Sequence, residues 1–204
     1  KLDKTDPPRL HMPHTKQSLS TALSWFFSPP FYGLPFVVWI YFVGSFLLFP
    51  DSPILQGLLP DPDDYMYLNQ VQDWIQGQSW FDNVQHRLDP PAGVTIAFSR
   101  LTETPIMLLV RFLSLFLDIS QASFMVAALL PPTLFALFLV TLNWVATSFV
   151  NKDWTRITSV IVLFSTTSLY QFSPGRVDHH GLNALLSLTA FGCLARAISH
   201  SRKS

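Results

Sequence analysis

The sequence predicts an all-α integral membrane protein: about four transmembrane helices and a large extracytoplasmic first loop containing short amphipathic helices. Three observations predict it. Charged residues make up 13% of the 204 positions, against roughly 25% in a soluble globular domain. Apolar stretches at 31–49, 123–150, 156–173 and 181–198 approach or exceed the about 20 residues that cross a bilayer as a helix. Residues 50–122, between the first two stretches, are mixed in character and carry short helical patterns. The formal net charge is zero, so nothing points to nucleic acid. The single cysteine, Cys193, excludes an internal disulfide framework. The first residue is Lys rather than Met, so a fragment or a processed product is expected.

Taken in order, residues 1–30 are polar, mildly basic and Pro-containing, and read as a tail. "FYGLPFVVWIYFVGSFLLF" (31–49) has no charge and is a first span; it is too long for a signal-peptide core. In "PDPDDYMYLNQVQDWIQG", Asp61 suits an N-cap, Pro62 the first turn and Gly77 the helix end. Tyr65, Leu68, Val71 and Ile75 then share one face. "QHRLDPPAG" reads as a loop. "TPIMLLVRFLSLFL" (104–117) is apolar but short and interrupted by Arg111, so it reads as an interfacial or protein-packed helix. The span at 123–150 contains Pro131 and Pro132, which would kink it. "NKDWTR" is a polar break, 156–173 is a Ser/Thr-rich marginal span, 181–198 a fourth span, and 199–204 a basic tail.

Lys and Arg mark the cytoplasmic side of short loops. Lys152 and Arg156, the carboxy-terminal Arg202 and Lys203, and the basic amino terminus are therefore all expected in the cytoplasm. Four crossings satisfy this. Loop 50–122 and residues 173–180 then lie together on the opposite side. That loop holds nine acids (Asp51, Asp61, Asp63, Asp64, Asp73, Asp82, Asp89, Glu103, Asp118) against three arginines, as expected of a loop outside the cytoplasm. A full crossing by 104–117 would separate the two polar segments.

Two ionisable groups thus share one membrane face: Asp61, Asp63 and Asp64 in "PDPDDYMYL", and Arg176, Asp178, His179 and His180 in "GRVDHHG". A charge at the bilayer centre costs roughly 2.5–3.5 kcal/mol on insertion scales, so these groups belong at the water boundary or in a hydrated cavity. Carboxylates with imidazole suit a divalent cation, Mg²⁺ or Mn²⁺, with histidine tilting the set toward Mn²⁺ or Zn²⁺. Plainer roles compete. Acids in a first helical turn favour the dipole, and Asp178 with Arg176 makes an interfacial pair. His11 and His14 in "HMPH" have ligand-like spacing but sit in the tail. His86, Arg87 and Arg100 suit phosphate or simply balance the acidic loop. The six tryptophans fit interface or core positions.

This order of features resembles the amino-terminal part of the GT-C membrane glycosyltransferases, in particular the catalytic subunit of oligosaccharyltransferase and its bacterial relatives. In that family the first external loop supplies a metal-binding, catalytic Asp in a stretch like Asp-Pro-x-x-x-Tyr or Asp-Gly-Tyr. "DPDDYMYL" matches through Asp61 or Asp63, with Asp63, two residues before Tyr65, preferred. The family's second loop carries Asp-x-Glu or Asp-Asn-Glu. Here Asp178 takes the first acid, and His180 stands where Glu is usual, a departure that bears on metal preference. The phrases "DPDDYMYLNQVQDWIQGQSWFDNVQHRLDPPAG", "FSRL" and "GRVDHHGL" also resemble uncharacterised bacterial GT-C-like membrane proteins.

The resemblance covers about 31–198 and implies a GT-C-like domain of the bacterial inner membrane using a polyprenyl-phosphate-linked sugar donor. It implies Asp63 and Asp178 as catalytic residues and a Mn²⁺ or Mg²⁺ ion held among Asp61, Asp63, Asp64, Asp178, His179 and His180. Arg87, Arg100 and Arg176 would contact substrate phosphate. Members of this family have many more spans, so the chain is expected to be an amino-terminal portion completed by a missing carboxy-terminal part or a partner subunit. Two other classes compete. One is a non-enzymatic transport or scaffolding component with an acid/His ion vestibule. The other is a membrane metal hydrolase, which lacks here a His-Glu-x-x-His helix or a Gly-x-Ser-x-Gly elbow.

Overall fold

The computed structural model describes residues 33–48 and 51–201. The tail at 1–30, with His11 and His14, and residues 202–204 lie outside the described residues. Seven helices are present among them: α1 (Gly33–Leu48), α2 (Pro62–Ile75), α3 (Arg100–Leu113), α4 (Ile119–Ala146), α5 (Lys152–Leu163), α6 (Thr166–Gln171) and α7 (His179–Ser201). A 3-10 turn at Pro53–Gln56 precedes α2. Two short strands, β1 (Val84–Gln85) and β2 (Val94–Thr95), pair antiparallel inside the first loop.

Helix α4 is the axis of the molecule, packing against α7, α1, α3 and α5. Its 28 residues rise about 42 Å. It and residues His179–Ile198 of α7 are the two described helices long and apolar enough to cross a membrane. Gly192 lets α7 approach closely, since a Cβ there would sit 2.3 Å from the Trp144 ring. Helix α1 has 16 described residues, about 24 Å of rise against a hydrocarbon core of about 30 Å.

The expected span at 156–173 is divided. Helix α5 ends at Leu163, and α6 restarts at Thr166 with Ser165 as its N-cap, the Ser165 hydroxyl accepting from Ser168 N. The run Ser165–Ser168 offers hydroxyls that compete for backbone groups, which favours a cap over a continued turn. Helix α3 begins at Arg100, earlier than the apolar pattern suggests, because Ser99 caps it and leaves Pro105 inside. Its inward face holds Arg100, Glu103, Ile106 and Val110, while Leu101, Leu108 and Phe112, followed by Leu115 and Phe116, are exposed.

Two apolar cores result. One joins Tyr67, Leu68 and Val71 of α2 to Ile106 and Val110 of α3, Val126 and Ala127 of α4, and Val177. The other packs Val38 of α1 against Phe135 and Leu139 of α4 and Phe172, which stacks on Phe135 at 4.9 Å between centroids. The segment 173–178 sits at the junction of the two.

Candidate functional site

The prolines in α4 create the first anchor. Proline has no N–H, so Pro131 frees the carbonyl four residues before it. That carbonyl, Ala127 O, accepts instead from Gly175 N at 2.8 Å. Gly175 has φ +97°, and a Cβ there would come within 2.7 Å of Pro60. Glycine is required on both counts. The loop 173–178 is thereby held between α4 and the residues that lead into α2.

The second anchor is Asp64, which has no exposed surface. Its Oδ1 accepts from Val177 N at 2.9 Å and Asp178 N at 3.2 Å, and its Oδ2 from Arg176 Nη1 at 3.0 Å. Asp61 Oδ2 lies 3.1 Å from the same Nη1. Arg176 Nη2 donates to Asp178 Oδ2 and, at 3.3 Å, to Gln171 Oε1. The guanidinium also faces the Tyr170 ring, 4.9 Å from its centroid. Only Nε is left over, buried and without a partner. A cavity of about 20 Å³ adjoins the cluster, lined by Thr102, Pro105, Pro131, Arg176 and Asp178 among others.

Capping explains two of the acids in part. Asp61 caps α2 by accepting from Asp63 N, and Asp178 Oδ1 accepts from His180 N at the start of α7. Around this closed centre lie open groups. Asp63 and His180 are exposed, and His180 Nε2 is 3.9 Å from Asp178 Oδ2. His179 is partly buried, its Nδ1 2.9 Å from the Tyr67 hydroxyl, with Phe98 and His180 against its ring.

Electrostatics follow from this burial. Desolvation pushes the Asp64 carboxyl up to about 6, with Asp178 adding to the rise and Arg176 and the two N–H bonds opposing it. Burial acts to lower Arg176, but Asp64 and Asp178 outweigh it and hold the guanidinium above its ordinary value. Tyr67 is pushed up to about 12, chiefly by burial. Its hydroxyl is therefore neutral at physiological pH, able to donate to or accept from His179 Nδ1 according to the histidine's tautomer.

Asp61, Asp63, Asp64, Arg176, Asp178, His179 and His180 are thus brought to one place from two segments more than a hundred residues apart. Arg87 and Arg100 are not. Arg87 pairs with Asp73 at 2.7 Å. Arg100 is buried and donates to Glu103, Gln78 and the carbonyls of Gln70 and Asp82. Sequence reasoning missed Tyr67, Gln171 and Phe98. Tyr67 had a signal, lying one helical turn beyond Asp64; Gln171 and Phe98 had none.

The donor set fits the expected divalent cation poorly. Such ions need oxygens at about 2.0–2.1 Å for Mg²⁺. The oxygens of Asp64 and Asp178 already accept from backbone N–H and guanidinium. Among the described residues, no three His, Cys, Asp or Glu side chains are gathered to hold an ion. No protein-family model, curated protein or solved structure matches the chain.

Proposed function

We propose that the chain is the amino-terminal portion of a GT-C-type membrane glycosyltransferase that transfers a sugar or oligosaccharide from a polyprenyl-phosphate-type lipid donor. One observation carries the reading. The buried Asp64–Arg176–Asp178 triad fixes the exposed Asp63 beside the helix start that carries His179 and His180. The amino ends of α2 and α7 meet here, each capped by an acid of its own, Asp61 and Asp178. His179, its Nδ1 against the Tyr67 hydroxyl, leaves Nε2 as the ring nitrogen for a polar group of the substrate. The exposed apolar strip of α3, from Leu101 to Phe112, offers a path for the lipid chain.

In the transfer, the acceptor's oxygen or nitrogen bonds to the sugar's anomeric carbon. The bond from that carbon to the phosphate oxygen breaks, and the lipid phosphate departs with the electron pair. Asp63 takes the acceptor's proton as general base. In this reading the site faces outward across the bacterial inner membrane, with both termini cytoplasmic, as the distribution of Lys and Arg favours. An ion vestibule would need its acids open to water, whereas Asp64 and Asp178 are buried.

The test is sugar transfer from a lipid-linked donor by the full-length protein. Asp63→Asn should lower the rate by about 10²–10⁴, the range for loss of a general base, while changing the unfolding free energy by less than about 0.5 kcal/mol, as for an exposed site. Asp178→Ala should also be inactive. Full activity in both variants would remove the proposal.

A further inference from the structure

We propose that α3 is an in-plane membrane anchor, with the side chains of Leu101, Leu108, Phe112, Leu115 and Phe116 seated in the acyl boundary of a phospholipid bilayer. The inference goes beyond the glycosyltransferase reading and does not depend on it. It starts from the way α3 is turned. Arg100 and Glu103 are 4% and 0% exposed, whereas Leu101 is 71% exposed, Leu108 58% and Phe112 59%. At 3.6 residues per turn, positions 101, 108 and 112 lie within about 40° of one another around the helix. The outward stripe is therefore apolar along its length, and exposed Leu115 and Phe116 continue it. A helix facing water turns its charges outward and its large apolar residues inward. Here the charges at the helix start go inward and a leucine and phenylalanine stripe goes outward. An exposed apolar patch of this kind suits an apolar neighbour.

The depth of α3 identifies that neighbour as lipid. Through Ile106 and Val110, α3 shares a core with Val126 and Ala127 of α4. Val126 stands about 30 Å along α4 from Ala146, at about 1.5 Å of rise per residue. That distance matches the roughly 30 Å thickness of a hydrocarbon core. The Ala146 end carries the marks of one membrane surface. Arg196 lies over the Trp144 ring, 4.5 Å from its centroid, and Trp154 is exposed nearby in sequence. Tryptophan gathers at such boundaries. Helix α3 therefore meets α4 at the opposite boundary, where acyl chains give way to headgroups. Its 14 residues, about 21 Å of rise, are too few to cross. On its inward side it covers Tyr67 and Val71 of α2. A helix between a polar loop and lipid must satisfy its charges internally, and Arg100 meets Glu103 at 2.8 Å. Arg111, exposed beside Phe112 in the chain, has a stem long enough to carry its charge to lipid phosphate.

The test places the full chain in phospholipid discs with a single spin label at Leu108→Cys or Phe112→Cys, each in a Cys193→Ser background. Asp63→Cys in the same background is the water-facing reference. Collision with oxygen, which concentrates among acyl chains, is compared with collision with a water-soluble nickel chelate. Labels at 108 and 112 should meet oxygen several-fold more than the chelate and report a depth of about 5–10 Å into the headgroup–acyl boundary. The label at 63 should show the reverse preference. Preference for the chelate at 108 and 112 would overturn the proposal, because the stripe would then face water. Shielding from both reagents would also sink it, because a second copy or another protein segment would then cover the stripe. The unsubstituted chain gives an independent reading. A phospholipid with a photoreactive diazirine on the upper part of its acyl chain should label peptides from residues 101–116. Labelling confined to α4 and α7 would contradict the proposal.

Discussion

Arg100 and Arg176 are both buried and both paired with acid, yet they do different work. Arg100 reaches Glu103 one turn along its own helix, at 2.8 Å, and its other donors go to Gln70, Gln78 and Asp82. Its pairing is local, and it fastens α3 to the end of α2 and the loop that follows. Arg176 reaches Asp61 and Asp64 from more than a hundred residues away and also holds Asp178. Its pairing joins two halves of the fold. The Arg100 cluster is closed, whereas the Arg176 cluster borders exposed Asp63 and His180. An arginine that satisfies its own helix marks structure. One that collects acids from several elements marks the place where those elements must meet.

The comparison is broken most severely at Arg176. Arg176→Ala should lower the unfolding free energy by about 3–5 kcal/mol, the cost of stranding a buried charge, and, under the proposed function, abolish sugar transfer. Denaturant titration in detergent and a transfer assay read the two effects. Arg100→Ala should cost a similar amount of stability, again by leaving a buried acid alone. Replacing the whole local pair, Arg100→Met with Glu103→Leu, should recover most of that loss, since apolar substitutes for a buried pair are often neutral. No pair replacement can serve at Arg176, because three acids share it.

Next in size is Gly175→Ala, which should cost about 1–3 kcal/mol through the strained backbone; the clash with Pro60 adds to it. Thermal unfolding measures it, and the same change at Gly77, where φ is also positive but no atom lies within 4 Å, should cost less. Smaller is Ser165→Ala, which removes the cap of α6 and should cost about 1 kcal/mol.

The pH dependence gives the finest contrast. Asp64 rises from 3.8 to about 6 in the fold, so the native state binds this proton more tightly than the unfolded chain does. The group's contribution to stability is therefore complete below its unfolded value and is lost as pH climbs through that interval. The difference in unfolding free energy between wild type and Asp64→Asn should decline over this range. Burial also raises Glu103, so Glu103→Gln should show a decline of the same sign.

What the sequence made legible was local. The start of α2 followed from Asp61 and Pro62, since a cap and a proline act on their own turn. The long apolar runs behind α4 and the first 20 residues of α7 followed from composition. The 61–64 and 176–180 segments do meet, but the expectation rested on four crossings, of which the described residues show two helices long and apolar enough to span. Other features depended on contacts between distant residues. Nothing near Arg176 announces that its partners are Asp61 and Asp64 rather than a phosphate. Pro131 signalled a kink, but not that Gly175 N would fill the freed carbonyl. The break at Ser165 was hidden because hydrophobicity averages across it, while the cap that causes it is a single hydroxyl.

The central claim is that the 61–64 and 176–180 segments share one aqueous face. It is tested most directly by thiol labelling of Asp63→Cys and His180→Cys, each in a Cys193→Ser background, with a membrane-impermeant reagent applied to intact cells and to inverted vesicles. The account predicts that both positions react from the outside and neither from the cytoplasmic side. Labelling of the two from opposite sides would contradict it.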